Sequence, residues 1–120
     1  MVTKPVAVII GATSKWQSDG RNTHLVHGGD LDDSQIPVTA RWGVGGAIAQ
    51  RFAEEGYSVV LTTRTTANAA ALQQAILDKG QQCMTVELDL SSASSITSAF
   101  SVIRDQVGEP EVVVLNAGYL

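Results

Sequence analysis

A chain of 120 residues with 44% hydrophobic and 17% charged content is composed like one ordinary globular domain, which excludes a disordered chain. A formal net charge of −4 argues against nucleic-acid binding, which needs clustered Lys and Arg, but leaves small phosphorylated ligands open, because backbone amides hold phosphate without net positive charge. No apolar run approaches the about 20 residues that span a bilayer, and Met1–Pro5 lacks the apolar core of a signal peptide, so the expectation is a cytoplasmic protein with no membrane partner.

The elements alternate. Val6–Ile10 is a continuous apolar run ending at Gly11, as expected of a strand buried on both faces of a parallel sheet. From about Gly45 to Glu55 the spacing predicts a helix, with Ile48, Ala49 and Phe52 on one face and Gln50, Glu54 and Glu55 opposite; Gly56 stops it. Ser58–Thr63 reads as a second buried strand and Ala67–Lys79 as a second helix, with Ala69, Leu72 and Ile76 on its face and Gly80 as its stop. Gln82–Leu88 is a third strand, in which Cys83, the only cysteine, is expected to be a buried, inert thiol. Ser92–Val107 is a third helix, closed by Gly108 and Pro110, and Glu111–Leu115 a fourth strand.

Strands separated by helix-length crossovers must run parallel, and right-handed connections put helices on both faces. The expected fold is therefore α/β: part of a Rossmann fold, with four parallel strands in the order 3-2-1-4. An uncovered fourth strand would be an open edge, so the isolated chain is expected to self-associate.

One segment breaks the alternation. Lys15–Trp42 is polar, contains Gly20, Gly28, Gly29 and Pro37, and has neither helical nor strand periodicity; it reads as a loop inserted in the domain. Trp16 and Trp42 flank it and are candidates to pack together at its base, while Lys15 and Arg41 are candidates to reach a ligand's phosphates. His24 and His27 with Asp30, Asp32 and Asp33 have the residue types of a metal site, but nothing aligns them on one face, and no metal is expected.

With that segment set aside, Gly11-Ala12-Thr13-Ser14 joins Gly43-Val44-Gly45, a G-x-x-x-G-x-G pattern between a buried strand and a helix. Gly11 suits a tight turn, Gly43 a close approach of backbone to a pyrophosphate, and Gly45 close packing of helix on strand. The helix's first turn would then offer unpaired N–H groups to the phosphates.

In this spacing and context the chain resembles the short-chain dehydrogenase/reductase family, from the first strand to Leu120, with the insertion as the departure. The resemblance implies that Asp89, after the third strand, accepts from the exocyclic amine of adenine. It also implies that Asn116-Ala117-Gly118, after the fourth strand, makes room for the ribose while Asn116 braces the sheet. At the end of the second strand, where a carboxylate would select NAD by binding the ribose 2′-OH, stands Thr63, and Arg64 follows with a fork suited to phosphate. NADP(H) is therefore expected in preference to NAD(H). The cofactor-binding set is Gly11, Thr13, Ser14, Gly43, Val44, Gly45, Arg64, Asp89, Leu90, Asn116, Ala117 and Gly118. For Asp89 a second reading, as a cap of the third helix, stays open.

Family members carry a Ser, Tyr and Lys set with Tyr and Lys four apart. The tyrosines here are Tyr57, with Leu61 four residues later, and Tyr119, the penultimate residue, and neither fits that set. No catalytic residue is assigned. Three functions follow as expectations: the NADP(H)-binding portion of an oxidoreductase whose catalytic half lies outside this chain, a noncatalytic dinucleotide-binding module, or an inactive fragment. The full-length protein would be a homo-oligomer.

Overall fold

A computed structural model of the chain describes residues 4–12 and 43–116. Four parallel strands, β1 (Val6–Ile10), β2 (Ser58–Thr63), β3 (Cys83–Glu87) and β4 (Pro110–Leu115), form one sheet in the order β3-β2-β1-β4. Every residue of β1 is buried, because this strand lies inside the sheet and is covered on both faces. The α/β architecture and strand order match those expected from the crossovers.

The helices are α1 (Gly43–Glu54), α2 (Ala70–Asp78) and α3 (Ala93–Gln106). Strand side chains alternate between faces. Ile9, Val59 and Leu61 therefore meet Ala49 and Ala53 of α1 and Leu72 and Ile76 of α2 on one side. Val8, Ile10, Val60 and Val86 meet Ala99 and Ile103 of α3 on the other. Ile103 is fully buried and anchors α3 to the sheet. Ile103→Ala is expected to cost about 2–5 kcal/mol, read as a lower midpoint in urea unfolding with little change of slope.

The boundaries shift in instructive ways. Helix α1 starts at Gly43, so Gly43 and Gly45 both belong to its first turn. The second helical segment opens as a 3₁₀ turn, Thr66–Ala69, before α2. Gln50 is buried, contrary to its assignment to the polar face with Glu54 and Glu55. Gly46, one turn earlier, has no side chain to occupy that space, and Gln50 Nε2 donates to its carbonyl at 3.1 Å. Pro110 has no N–H to offer the ladder, and the β1–β4 register slips by one residue just after it, leaving Glu111 out of step. On β4, Val113 and Leu115 are exposed while Val114 packs on the α1 side.

Cys83 lies in β3 and is half-buried against the α1–α2 core, short of the full burial expected. Burial pushes its thiol up to about 12, so it is neutral at physiological pH. Its alkylation in the native protein is expected to be at least about tenfold slower than in denaturant, measured by mass spectrometry over time.

Candidate functional site

The carboxyl ends of the four strands are tied to one another just past the sheet. Ala12 donates its amide to Thr62 O at 3.2 Å, Asn116 to Ile10 O at 2.8 Å, and Leu88 to Thr63 O at 2.8 Å. The crossover through α1 leaves β1 toward one face, whereas α3 feeds β4 from the other. That divergence beside β1 is where open α/β sheets bind ligands.

Gly11 leaves β1 with φ of 82°, a left-handed turn that glycine adopts without strain. Gly45, in the first turn of α1, then comes down onto that turn. A Cβ at Gly45 would stand 2.7 Å from Gly11 O, 2.9 Å from Asn116 Nδ2 and 3.1 Å from Ala12 Cα. Asn116 Nδ2 donates to Gly11 O at 3.4 Å, a long bond that links the end of β4 to the glycine turn. Gly11, Gly45 and Asn116 thus meet at one junction. Val44, beside it in α1, is exposed. The first turn of α1, the positive end of the helix dipole, lies next to the junction.

Beyond β2 the chain turns sharply. Thr63 is buried, and its hydroxyl donates to Thr65 O and accepts from Thr65 N, both at 3.3 Å. This clamp takes up the side chain standing where a ribose-binding acid was expected and leaves Arg64 exposed at the apex. Beyond β3, Asp89 is held twice by one neighbour. Its Oδ1 accepts from Ser91 N at 2.9 Å and from Ser91 Oγ at 2.6 Å, while its own amide donates to Ser95 Oγ at 2.9 Å. The Ser91 hydroxyl, then the Ser91 amide, hold the Asp89 carboxyl below the usual carboxylate range; slight desolvation opposes this and the charge of Arg64 adds to it. Leu90 follows, exposed.

The capping alternative for Asp89 is resolved by α3 itself. Its N-cap is Ser92, whose Oγ accepts from Ser95 N at 3.2 Å. Asp89 therefore caps no helix and is available as an acceptor at the strand end.

Thr13, Ser14, Ala117 and Gly118 lie outside the described residues. So do Lys15–Trp42, including Trp16, Trp42, Lys15, Arg41 and the His24–Asp33 cluster, and Tyr119. Among the described residues no group of His, Cys, Asp and Glu could hold a metal, and no helix is long and apolar enough to cross a membrane. Tyr57 precedes β2 at the opposite end of the sheet, edge-on to Phe52 with ring centroids 5.0 Å apart. It is a packing residue. Sequence reasoning missed the hydroxyls of Thr63, Ser91 and Ser95, although Thr-x-Thr and Asp-x-Ser spacings are local turn signals. A groove of about 500 Å³ also opens between β3 and α3, lined by Met84, Val86, Ser98 and Val102 among others, and includes none of Gly11, Gly45, Arg64 or Asn116.

A parallel sheet in the order β3-β2-β1-β4 with helices on both faces and a glycine turn at the end of β1 defines a Rossmann fold. The short chain dehydrogenase family model matches residues 36–120, and the chain belongs to that family. It is similar to a 3β-hydroxysteroid dehydrogenase of Mediterraneibacter gnavus, 33% identical over 91 residues, which are 75% of this chain and 33% of that protein. It is also similar to a 3-oxoacyl-[acyl-carrier-protein] reductase, FabG, of Aquifex aeolicus, 36% identical over 77 residues, 63% of this chain and 31% of that one. The chain therefore spans about a third of the length of these curated relatives. Among solved structures, it matches an actinorhodin polyketide ketoreductase with NADPH at a TM-score of 0.71 and 22% identity, covering 99% of this chain and 36% of that one. A metagenomic short-chain oxidoreductase in complex with NADP matches at a TM-score of 0.69 and 25% identity, covering 98% of this chain and 41% of the other.

Proposed function

We propose that this chain is the NADP(H)-binding portion of a short-chain oxidoreductase, one that transfers hydride between the nicotinamide and a carbonyl or alcohol substrate. The observation that carries the proposal is the junction of Gly11, Gly45 and Asn116 beside the exposed Arg64 and the acceptor Asp89, all at the carboxyl ends of the strands. A Cβ would fill the space at Gly45, so the helix N-terminus lies as close to the strand turn as backbone allows, and phosphates can be met by amides alone. Gly43, Val44 and Gly45 would hold the pyrophosphate, together with Thr13 and Ser14. Asp89 would accept from the adenine amine with Leu90 beside it, and Asn116, Ala117 and Gly118 would border the ribose.

Preference for the 2′-phosphorylated cofactor rests on Arg64. The clamped Thr63 presents no carboxylate to repel a phosphate, and the exposed Arg64 guanidinium would form a two-pronged bond with it. The solved relatives described with NADP or NADPH support the same choice. The residues that move the proton would lie outside these 120, so the chain alone should bind cofactor without turnover. The whole protein is proposed to work in the cytoplasm as a homo-oligomer; exposed Val113 and Leu115 support a further apolar contact at β4.

Calorimetric titration with NADPH and NADH tests this reading. Saturable binding, tighter for NADPH, is expected. Absence of binding to either dinucleotide would sink it.

A further inference from the structure

The carboxylate of Asp89 is not simply displayed at the end of β3; it is oriented. Ser91 reaches one oxygen, Oδ1, with both its hydroxyl and its amide. Ser95, on the first turn of α3, fixes the Asp89 backbone by accepting its amide. Among the described residues Oδ2 accepts no hydrogen bond, so one oxygen is occupied and the other is presented.

We propose that Ser91 is a positioning residue for base recognition: by occupying Oδ1 it aims Oδ2 of Asp89 at the 6-amino group of adenine and makes the site discriminate against a 6-oxo purine. This rests on the reading of Asp89 as the adenine acceptor. The chemistry is a matter of matching donors and acceptors. An ionised carboxylate is an acceptor only, which satisfies an exocyclic amine and opposes the oxygen that replaces it in hypoxanthine. Such discrimination is strong only when the acceptor cannot turn away or take up a proton. The two Ser91 bonds restrict both, since they stabilise the charged form and limit rotation about the carboxyl bond. Among the described residues Arg64, at the end of β2, is the charged side chain whose field reaches Asp89, and it also favours the ionised form.

The test uses NADPH and its hypoxanthine analogue, titrated into the whole chain as wild type, S91A, the isosteric pair S91T and S91V, and D89A. Ser91 is exposed, and thermal melts of each variant report folding independently. S91A and S91V are expected to weaken NADPH binding by about threefold to tenfold while leaving the analogue within about twofold, and S91T to restore the wild-type ratio. With the hydroxyl removed, the acid limb of NADPH affinity should move to higher pH, because the Asp89 carboxyl then protonates more readily. If D89A abolishes discrimination but S91A and S91V keep both the ratio and the acid limb, the role of Ser91 is overturned and the adenine reading stands. If D89A itself leaves discrimination intact, the adenine reading fails and takes this proposal with it.

Discussion

Gly45→Ala should lower the melting temperature by about 4–15 °C and abolish measurable dinucleotide binding. In an exposed helix the same change would stabilise by about 1 kcal/mol, because alanine has the better helix propensity. Here the added methyl meets backbone on two sides, Gly11 O at 2.7 Å and Ala12 Cα at 3.1 Å. Neither belongs to a flexible side chain. Relief therefore requires α1 to lift from the end of β1, which also parts Asn116 Nδ2 from Gly11 O. Overpacking of this kind costs about 1–3 kcal/mol net even after local adjustment. Arg51→Ala, on the same helix and at an exposed i,i+4 ion pair with Glu55, should cost no more than about 0.5 kcal/mol. Differential scanning calorimetry of the two variants separates a specific clash from general sensitivity of the helix. A Gly45→Ala protein that melts with the wild type would contradict the packing described.

The second large effect is expected at Arg64. If its guanidinium receives the 2′-phosphate, Arg64→Ala removes a charge-assisted interaction worth about 1.5–3 kcal/mol, or about 10- to 100-fold in NADPH affinity. NADH, which lacks that phosphate, should be affected by less than about threefold. Arg64→Glu should go further and favour NADH, since a carboxylate beside the ribose accepts from its 2′-OH and repels the phosphate. Melting should change little in either variant, because Arg64 is exposed and its loop is held by Thr63 rather than by its own side chain. Equal losses for NADH and NADPH would assign Arg64 to general electrostatics instead of 2′-phosphate recognition.

Much of this was legible in the residues. The apolar run of β1, flanked by Gly11, and the helix-length spacing between strands were enough to order the sheet, because parallel strands leave few connections open. Gly45 was legible as a contact glycine from its place in the turn, and the steric environment around it matches that reading. Gln50 was not. Helical periodicity places it beside Glu54, but the space beside Gly46 is set by tertiary packing, which periodicity does not encode. The 3₁₀ opening of the second helical segment escaped for a related reason, as propensity scales do not separate i→i+3 from i→i+4 bonding over four residues. The hydroxyl contacts of Thr63, Ser91 and Ser95 depend on turn geometry that short polar side chains can satisfy in several ways. Their spacing suggested turns without saying which oxygen would be taken.

The proposed dinucleotide site lies across the carboxyl ends of β1, β2, β3 and β4. Backbone amide shifts recorded while NADPH is titrated into ¹⁵N-labelled protein test it most directly. The largest shifts are expected at Gly11, Ala12, Val44, Gly45, Arg64, Asp89, Leu90 and Asn116. Shifts concentrated in the β3–α3 groove around Met84, Ser98 and Val102, or at the amino ends of the strands near Tyr57 and Gln82, would contradict it.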